Sequence, residues 1–401
     1  MRRGERNHRG GEALASAMPL FPTRPLRIQP YFGHRSASRL ILSARALYGG
    51  EATFSDASGV AAIATMLGQF ISHEAKDVPV TLRVEGKDGT LLTHTETSDS
   101  EGFVRFDLPL SPEWDLPDHP AWEVAQLSWQ GKDGTQTVDA HILAPGRVSR
   151  LAVISDIDDT IIETGITGGL KSVAANWNRV FAQMPSGRII VPGADTFYGQ
   201  LGGKDIASAT NAEGEVCPRE QLTATRRPFF YVSSSPWNLF SYLVAFQRMR
   251  GLPLGPVKLR DWGLNRQTFG KASHGSHKEA AISDILAMYP DMQFAMIGDD
   301  TQGDLPAFAH AATRYPGRVA AVFLRTVSGE TFSPEEEEGI AALEDAGIPL
   351  WMGSDYATGL EFLAANGFTR GGETEQIVKA VERVDEPALA DASPEVDQGT
   401  D

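Results

Sequence analysis

The chain is predicted to be α/β, with a Rossmann-like parallel sheet in its second half, preceded by a β-sandwich-like half. Three observations carry this reading. From Leu151 onward, short apolar runs alternate with stretches of helical spacing, the grammar of βαβ units. From Leu26 to Ile142 the runs instead alternate residue by residue and are separated by turn signals. Two of the later apolar runs break abruptly into acids, at Asp156-Ile157-Asp158-Asp159-Thr160 and at Gly298-Asp299-Asp300. In parallel sheets ligands bind beyond the carboxyl ends of the strands, so acids there point to chemistry.

The composition bounds the function. The 401 residues suffice for two domains, each with its own core. A net charge of −16 and a pI near 5.0 argue against a nucleic-acid partner. A single cysteine, Cys217, provides neither an internal disulfide framework nor a Cys-rich zinc site. No apolar run is long enough to span a membrane. These features together predict a cytoplasmic protein, with membrane contact only at its periphery.

In chain order, residues 1–25 are basic (Arg2, Arg3, Arg6, Arg9) but lack a following apolar segment, which predicts a disordered start without a signal peptide. Residues 26–148 form the β-domain. Val78, Val80, Leu82 and Val84 alternate with other residues, as do Val104, Phe106 and Leu108, and then Ala125, Leu127 and Trp129. Lys87-Asp88-Gly89 and Lys132-Asp133-Gly134 each offer an Asp-Gly turn. A helical pattern from Val60 to Ile71 is expected to cover an open end. Nothing in this half gathers acids, histidines and a nucleophile, so it reads as a structural or protein-partner module.

Pro145-Gly146 marks the boundary to the second domain, residues 149–370. Its predicted strands are Leu151–Ser155, Phe229–Val232, Gln293–Ile297, Val319–Leu324 and Ile348–Met352. Its predicted helices include Trp237–Arg250, Lys278–Tyr289 and Thr358–Asn366. Residues 371–401 carry nine acids against two basic residues and are predicted to form a disordered acidic tail.

Four features fall at strand ends or on the helices that follow. They are the acids of Asp156–Thr160, the hydroxyls of Ser233-Ser234-Ser235 after Phe229–Val232, Lys278 opening a helix, and Asp299 with Asp304. Each alone has a bland reading: an acidic helix cap, a serine cap or a surface lysine. In this order on one sheet edge they suit phosphate-ester hydrolysis. A carboxylate can attack phosphorus and split one hard displacement into two easier ones. The mutual repulsion of the acids calls for a hard cation such as Mg²⁺, which accepts carboxylate and carbonyl oxygens. Hydroxyl and ammonium groups would hold the phosphoryl oxygens.

Asp156-Ile157-Asp158-Asp159-Thr160 resembles the DxDxT signature of haloacid-dehalogenase-type phosphatases, with Ser233, Lys278 and Gly298-Asp299…Asp304 similar to their later motifs. The resemblance implies a haloacid-dehalogenase-type sheet with a small cap or none. It also implies Asp156 as nucleophile and metal ligand, and Asp158 as acid/base whose carbonyl reaches the metal. Asp299 would be the second metal carboxylate, Ser233, Ser234 and Lys278 would bind phosphate, and Thr160 and Asp304 would support the site. Phe229–Leu239, Leu259-Arg260-Asp261-Trp262-Gly263, His277-Lys278 and Val191-Pro192-Gly193 are similar to the actin-patch-associated phosphatidate phosphatase family. That implies Mg²⁺-dependent removal of phosphate from phosphatidate, a lipid phosphate met at a membrane surface.

The chain departs from that pattern at Asp300, where a small residue is expected, and in the Gly/Ala-rich stretch 201–225. The gaps between motifs (161–232 and 234–277) leave little room for a large lid, which favours a bulky or membrane-bound substrate. Trp177, Trp237 and Trp262 are placed either at such a mouth or in the core. Two other enzyme or adaptor readings stand beside the lipid phosphatase: a phosphatase for a soluble or protein phosphate, and a non-catalytic peripheral adaptor. Gly165–Ser172 nearly spells a P-loop, but Leu170 replaces its second glycine. His274 and His277 lack a zinc-type partner set, and no GxSxG elbow occurs.

Overall fold

A computed structural model describes residues 25–49, 73–86, 89–157, 160, 191–203, 222–260, 272–327, 329 and 331–368. The expected helix from Val60 to Ile71, both terminal segments, Asp158, Trp177, Trp262, residues 165–172 and most of the 201–225 stretch lie outside them.

Among the described residues the strands form two sheets, of nine and six strands. The first contains β1 (Leu26–Pro30), β2 (Gly33–Arg35), β3 (Arg39–Tyr48), β4 (His73–Glu74), β5 (Pro79–Glu85), β6 (Leu91–Thr97), β7 (Phe103–Pro109), β8 (Ala121–Gly131) and β9 (Gly134–Ala144). β8 and β9 are joined through Lys132-Asp133, with Gly131 opposite Gly134. Gly134 takes a φ of 109°, a conformation that disfavours a side chain. β3 bonds β1 and β7, while β9, β8, β5 and β6 follow one another, and the short β2 bonds both β3 and β9. The alternating residues read from the sequence all point inward. Leu40, Leu42, Ala44, Val80, Leu82, Val104, Phe106, Leu127 and Trp129 share one core.

The second sheet comprises β10 (Leu151–Ser155), β11 (Phe229–Pro236), β12 (Val257–Arg260), β13 (Gln293–Asp299), β14 (Val319–Arg325) and β15 (Leu350–Gly353). All its pairings are parallel, in the order β12-β11-β10-β13-β14-β15. The chain thus runs outward from β10 in one direction, then returns to its other side at β13. That reversal opens a crevice at the carboxyl ends of β10 and β13.

Both faces are buried, as the continuous apolar runs require. Val153, Phe229, Tyr231, Ile297 and Phe323 face α1 (Ala194–Leu201), α2 (Phe240–Met249) and α6 (Tyr356–Ala365). Ile154, Phe230, Met296, Val322 and Leu324 face α3 (Ala272–Met288), α4 (Asp304–Arg314) and α5 (Pro334–Asp345). Two expectations need correction. Lys278 does not open its helix: α3 begins at Ala272 and places Lys278 within it. Leu259-Arg260, read only as the start of a motif, ends the edge strand β12, Val257–Arg260. Four apolar-polar residues were too short a signal to separate a strand from a loop.

The two sheets are not independent bodies. Tyr31 and Phe103 of the first half share a core with β10, β11 and α2, and Leu143 of β9 joins the core on the opposite face. The imidazole of His34 lies 2.8 Å from the hydroxyl of Tyr289 across this junction.

Candidate active site

Asp156 follows β10 directly, and Asp299 ends β13, so the two carboxylates sit side by side at the crevice. The Asp156 N–H donates to the Ile297 carbonyl across 2.9 Å, extending the ladder one residue past the assigned strand. Asp156, Asp299 and Asp304 each bring a carboxylate oxygen within 4.8 Å of the others, and all three are buried.

Asp304 begins α4, after Gly303 turns the chain with a φ of 76°. Both of its oxygens are engaged. One accepts from the Lys278 ammonium at 2.5 Å, and the other from the Asp299 N–H at 3.1 Å. Lys278 also stands 3.3 Å from Asp156, with side chains on both sides only 1 % exposed. Burial works against the charge of Lys278, but the carboxylates of Asp156, Asp304 and Asp299 outweigh it and lift its pKa. Lys278 is therefore a fixed cation rather than the surface charge of the bland reading.

Asp299 accepts from the Thr301 N–H at 2.7 Å and from the Thr301 hydroxyl on one oxygen. The Thr160 hydroxyl donates to the other at 3.0 Å. Burial first, then the charge of Asp304, raises the Asp299 pKa to about 7. Three buried carboxylates share a single lysine among the described residues, which leaves local negative charge uncompensated. An all-oxygen donor set with that charge deficit fits a divalent cation. With Asp304 committed to Lys278 and to the backbone, Asp156 and Asp299 are the carboxylates placed to hold it.

The serines lie on the neighbouring strand. Ser155 of β10 is level with Tyr231 of β11, so Ser233 emerges at the same sheet edge as Asp156. Pairing between β11 and β12 is irregular between Val232 and Pro236, which takes Ser233–Ser235 out of the regular ladder. The Ser233 hydroxyl accepts from the Ser235 N–H at 3.0 Å, and all three serines are buried. Asp158 lies outside the described residues.

The sequence reading missed the residues that brace the Asp156–Thr160 loop. The Ser155 hydroxyl donates to the Asp156 carbonyl at 2.6 Å and lies 2.7 Å from the Tyr198 hydroxyl of α1. The Tyr356 hydroxyl of α6 donates to the Thr160 carbonyl at 3.0 Å. Burial raises the pKa of both phenols, so they stay neutral. Val191-Pro192-Gly193 was a partial signal, since Gly193, at φ 78°, is the N-cap of α1 and places Tyr198. Nothing local marks Tyr356. Asp300, the departure noted above, accepts from the Val327 N–H at 2.7 Å and so ties its loop to the end of β14. Trp237, half-buried, packs with Tyr31 and Phe103 at the edge of the core.

Comparison with known proteins agrees with the motif reading over one part of the chain. Residues 151–326, from β10 to just past β14, match the family model of the phosphatidate phosphatase APP1 catalytic domain. Phosphatidate phosphatase APP1 of Saccharomyces cerevisiae is 29% identical over 194 residues, 48% of this chain and 28% of the relative. An uncharacterized protein of Schizosaccharomyces pombe is 24% identical over 182 residues, 45% of this chain and 26% of the relative. The chain thus spans little more than a quarter of each relative. Among solved structures, a β-glucuronidase of Parabacteroides merdae covers 83% of this chain and 40% of its own at 9% identity, with a TM-score of 0.26, too loose an overlap to define a common fold. No helix among the described residues is long and apolar enough to cross a membrane.

Proposed function

We propose that this chain, whose residues 151–326 are those of the APP1 catalytic-domain family, is a Mg²⁺-dependent phosphatase of haloacid-dehalogenase type acting on phosphatidate or a related lipid phosphate. The observation that carries the reading is the convergence of Asp156, Asp299, Lys278 and Asp304 in one buried cluster at the carboxyl ends of β10 and β13.

An Asp156 oxygen attacks phosphorus, and the bond from phosphorus to the ester oxygen breaks. Asp158 gives its proton to the departing alkoxide, which leaves as the alcohol, diacylglycerol in the case of phosphatidate. Water then attacks the phosphoryl group on Asp156 and loses a proton to Asp158. Inorganic phosphate departs, and both carboxyl groups return to their starting state. Asp156, Asp299 and the Asp158 carbonyl would hold Mg²⁺, which would supply charge neutralisation for an anion meeting a phosphate. Ser233, Ser234 and Lys278 hold the equatorial oxygens, and Asp304 and Thr160 keep Lys278 and Asp299 in place. The substrate class further implies a cytoplasmic protein that meets the membrane at its surface.

The test is phosphate release from phosphatidate vesicles and from a soluble aryl phosphate, each with Mg²⁺ and with chelator. The expected result is metal-dependent release from both, abolished by Asp156→Asn. Release from the aryl phosphate alone would move the assignment to a soluble or protein phosphate. No metal-dependent release from either would leave a non-catalytic adaptor.

A further inference from the structure

The segment carrying the serines is held at its far end by residues outside the family match. After Pro236 the chain makes a single 3₁₀ turn, Trp237–Leu239, and enters α2. The Arg45 guanidinium of β3 donates to the Asn238 side-chain oxygen at 2.5 Å. The same group donates to the Glu101 carbonyl at 2.9 Å and pairs with Glu74 at 3.1 Å. It also lies 4.9 Å over the ring of Phe103. With four partners at once and its side chain only 10% exposed, Arg45 has little freedom to move.

Aromatic rings complete the grip. Trp237 stands 4.6 Å from Tyr31 and 5.5 Å from Phe103, centroid to centroid, and Phe240 stands 4.9 Å from Tyr31 edge-on. The β11–β12 register shifts between Val232 and Pro236, so what holds the two ends of this segment contributes to where Ser233–Ser235 sit. The near end is fixed by the pairing of Tyr231 and Val232 with β12. The far end is fixed by the first half of the chain.

We propose that Arg45 is a positioning residue for the phosphate-binding segment Ser233–Ser235, acting through Asn238, with Tyr31 and Phe103 fixing Trp237 beside it. The inference rests on the phosphatase reading and gives the nine-stranded sheet a role inside the molecule: it completes the phosphate site that the α/β half begins. A small displacement of a group that binds the reacting phosphoryl is costly, because catalysis depends on alignment held before the reaction starts.

The experiment compares the full chain with Arg45→Met, Arg45→Lys, Asn238→Ala, the Arg45→Met/Asn238→Ala double variant and an Arg39→Met control. Arg39 forms an exposed pair with Asp107 on the same sheet. The readouts are kcat and KM on an aryl phosphate with Mg²⁺, the inhibition constant of inorganic phosphate, and the thermal midpoint. Arg45→Met is expected to lower kcat/KM and weaken phosphate binding by roughly 10- to 100-fold. Arg45→Lys should recover part of the loss, and Arg39→Met should match wild type. Because Arg45 acts through Asn238, the double variant should be no worse than the poorer single one.

A folded Arg45→Met with wild-type phosphate inhibition and kcat/KM overturns the inference while leaving the phosphatase reading intact, as do additive losses in the double variant. If Arg45→Met does not fold, Asn238→Ala and Arg45→Lys decide by the same readouts. A wild-type chain that neither hydrolyses the aryl phosphate nor binds phosphate overturns the phosphatase reading first, and this inference with it.

Discussion

Gly298 and Asp304 are packed so closely that no side chain fits between them. A Cβ at position 298 would stand 2.6 Å from both Cβ and Cγ of Asp304. Asp304 is unable to yield, because Lys278 and the Asp299 N–H hold its two oxygens. Gly298→Ala is therefore expected to destabilise the fold by about 1–3 kcal/mol. It should also lower activity at least tenfold by displacing Asp304 from Lys278. Urea unfolding and kcat on an aryl phosphate check both, and an alanine variant of wild-type activity would remove Asp304 from the supporting role given to it.

Tyr356 reaches Thr160, in the loop that follows Asp156, from α6, the last described helix. Tyr356→Phe keeps the ring stacked on Phe197, 4.7 Å between centroids, and removes the hydroxyl's bonds to the Thr160 carbonyl and to Tyr198. The expected stability loss is about 1 kcal/mol. A several-fold drop in kcat with KM little changed should accompany it, since Thr160 in turn holds Asp299. A pure stability loss with unchanged kcat would make the hydroxyl a packing feature only.

Asp300 adjoins a proposed metal ligand, yet its carboxylate turns to the Val327 N–H. Asp300→Asn retains an acceptor for that bond. It should leave the Mg²⁺ concentration for half-maximal activity within about twofold of wild type, with stability changed by less than about 1 kcal/mol. A large shift in that concentration would place Asp300 in the metal site.

His34 sets a pH dependence unrelated to catalysis. Burial, then the nearby charges of Lys258 and Arg39, holds its pKa down to about 3, while the Asp107 charge opposes them. Below pH 6.5 the unfolded chain takes up a proton that the folded chain refuses, so stability falls from pH 6.5 toward 3 and is unaffected above. By pH 5 the loss from this one group is about 2 kcal/mol. His34→Gln should lose that much less stability between pH 7.5 and 5 in urea titrations. Equal losses in both proteins would show that His34 is accessible to protons when folded.

Five of the six strands of the α/β half, all but the edge strand β12, were legible because each contains a continuous apolar run, and the acids stood out because nothing else ends such a run so abruptly. Leu82, Phe106 and Leu127 were equally legible, since period-two alternation has one physical cause: one face in the core. The start of α3 was misplaced because Ala272–His277 has no apolar stripe to announce a helix. Tyr198, Tyr356 and the grip of Arg45 on Asn238 left no local trace. Each is a single polar contact between residues far apart in the chain, and no periodicity encodes such a pair.

The sequence by itself determined which chemistry is available: carboxylates, hydroxyls and an ammonium group at the ends of apolar runs, in a fixed order along the chain. Local pattern suffices for that, because strand burial and strand ends are properties of neighbouring residues. Only the tertiary structure decided that β10 and β13 are adjacent, so that Asp156 and Asp299 meet, and that the first half of the chain clamps the segment after Ser233. Those outcomes depend on which distant surfaces exclude water together, and that is settled by the packing of the whole chain.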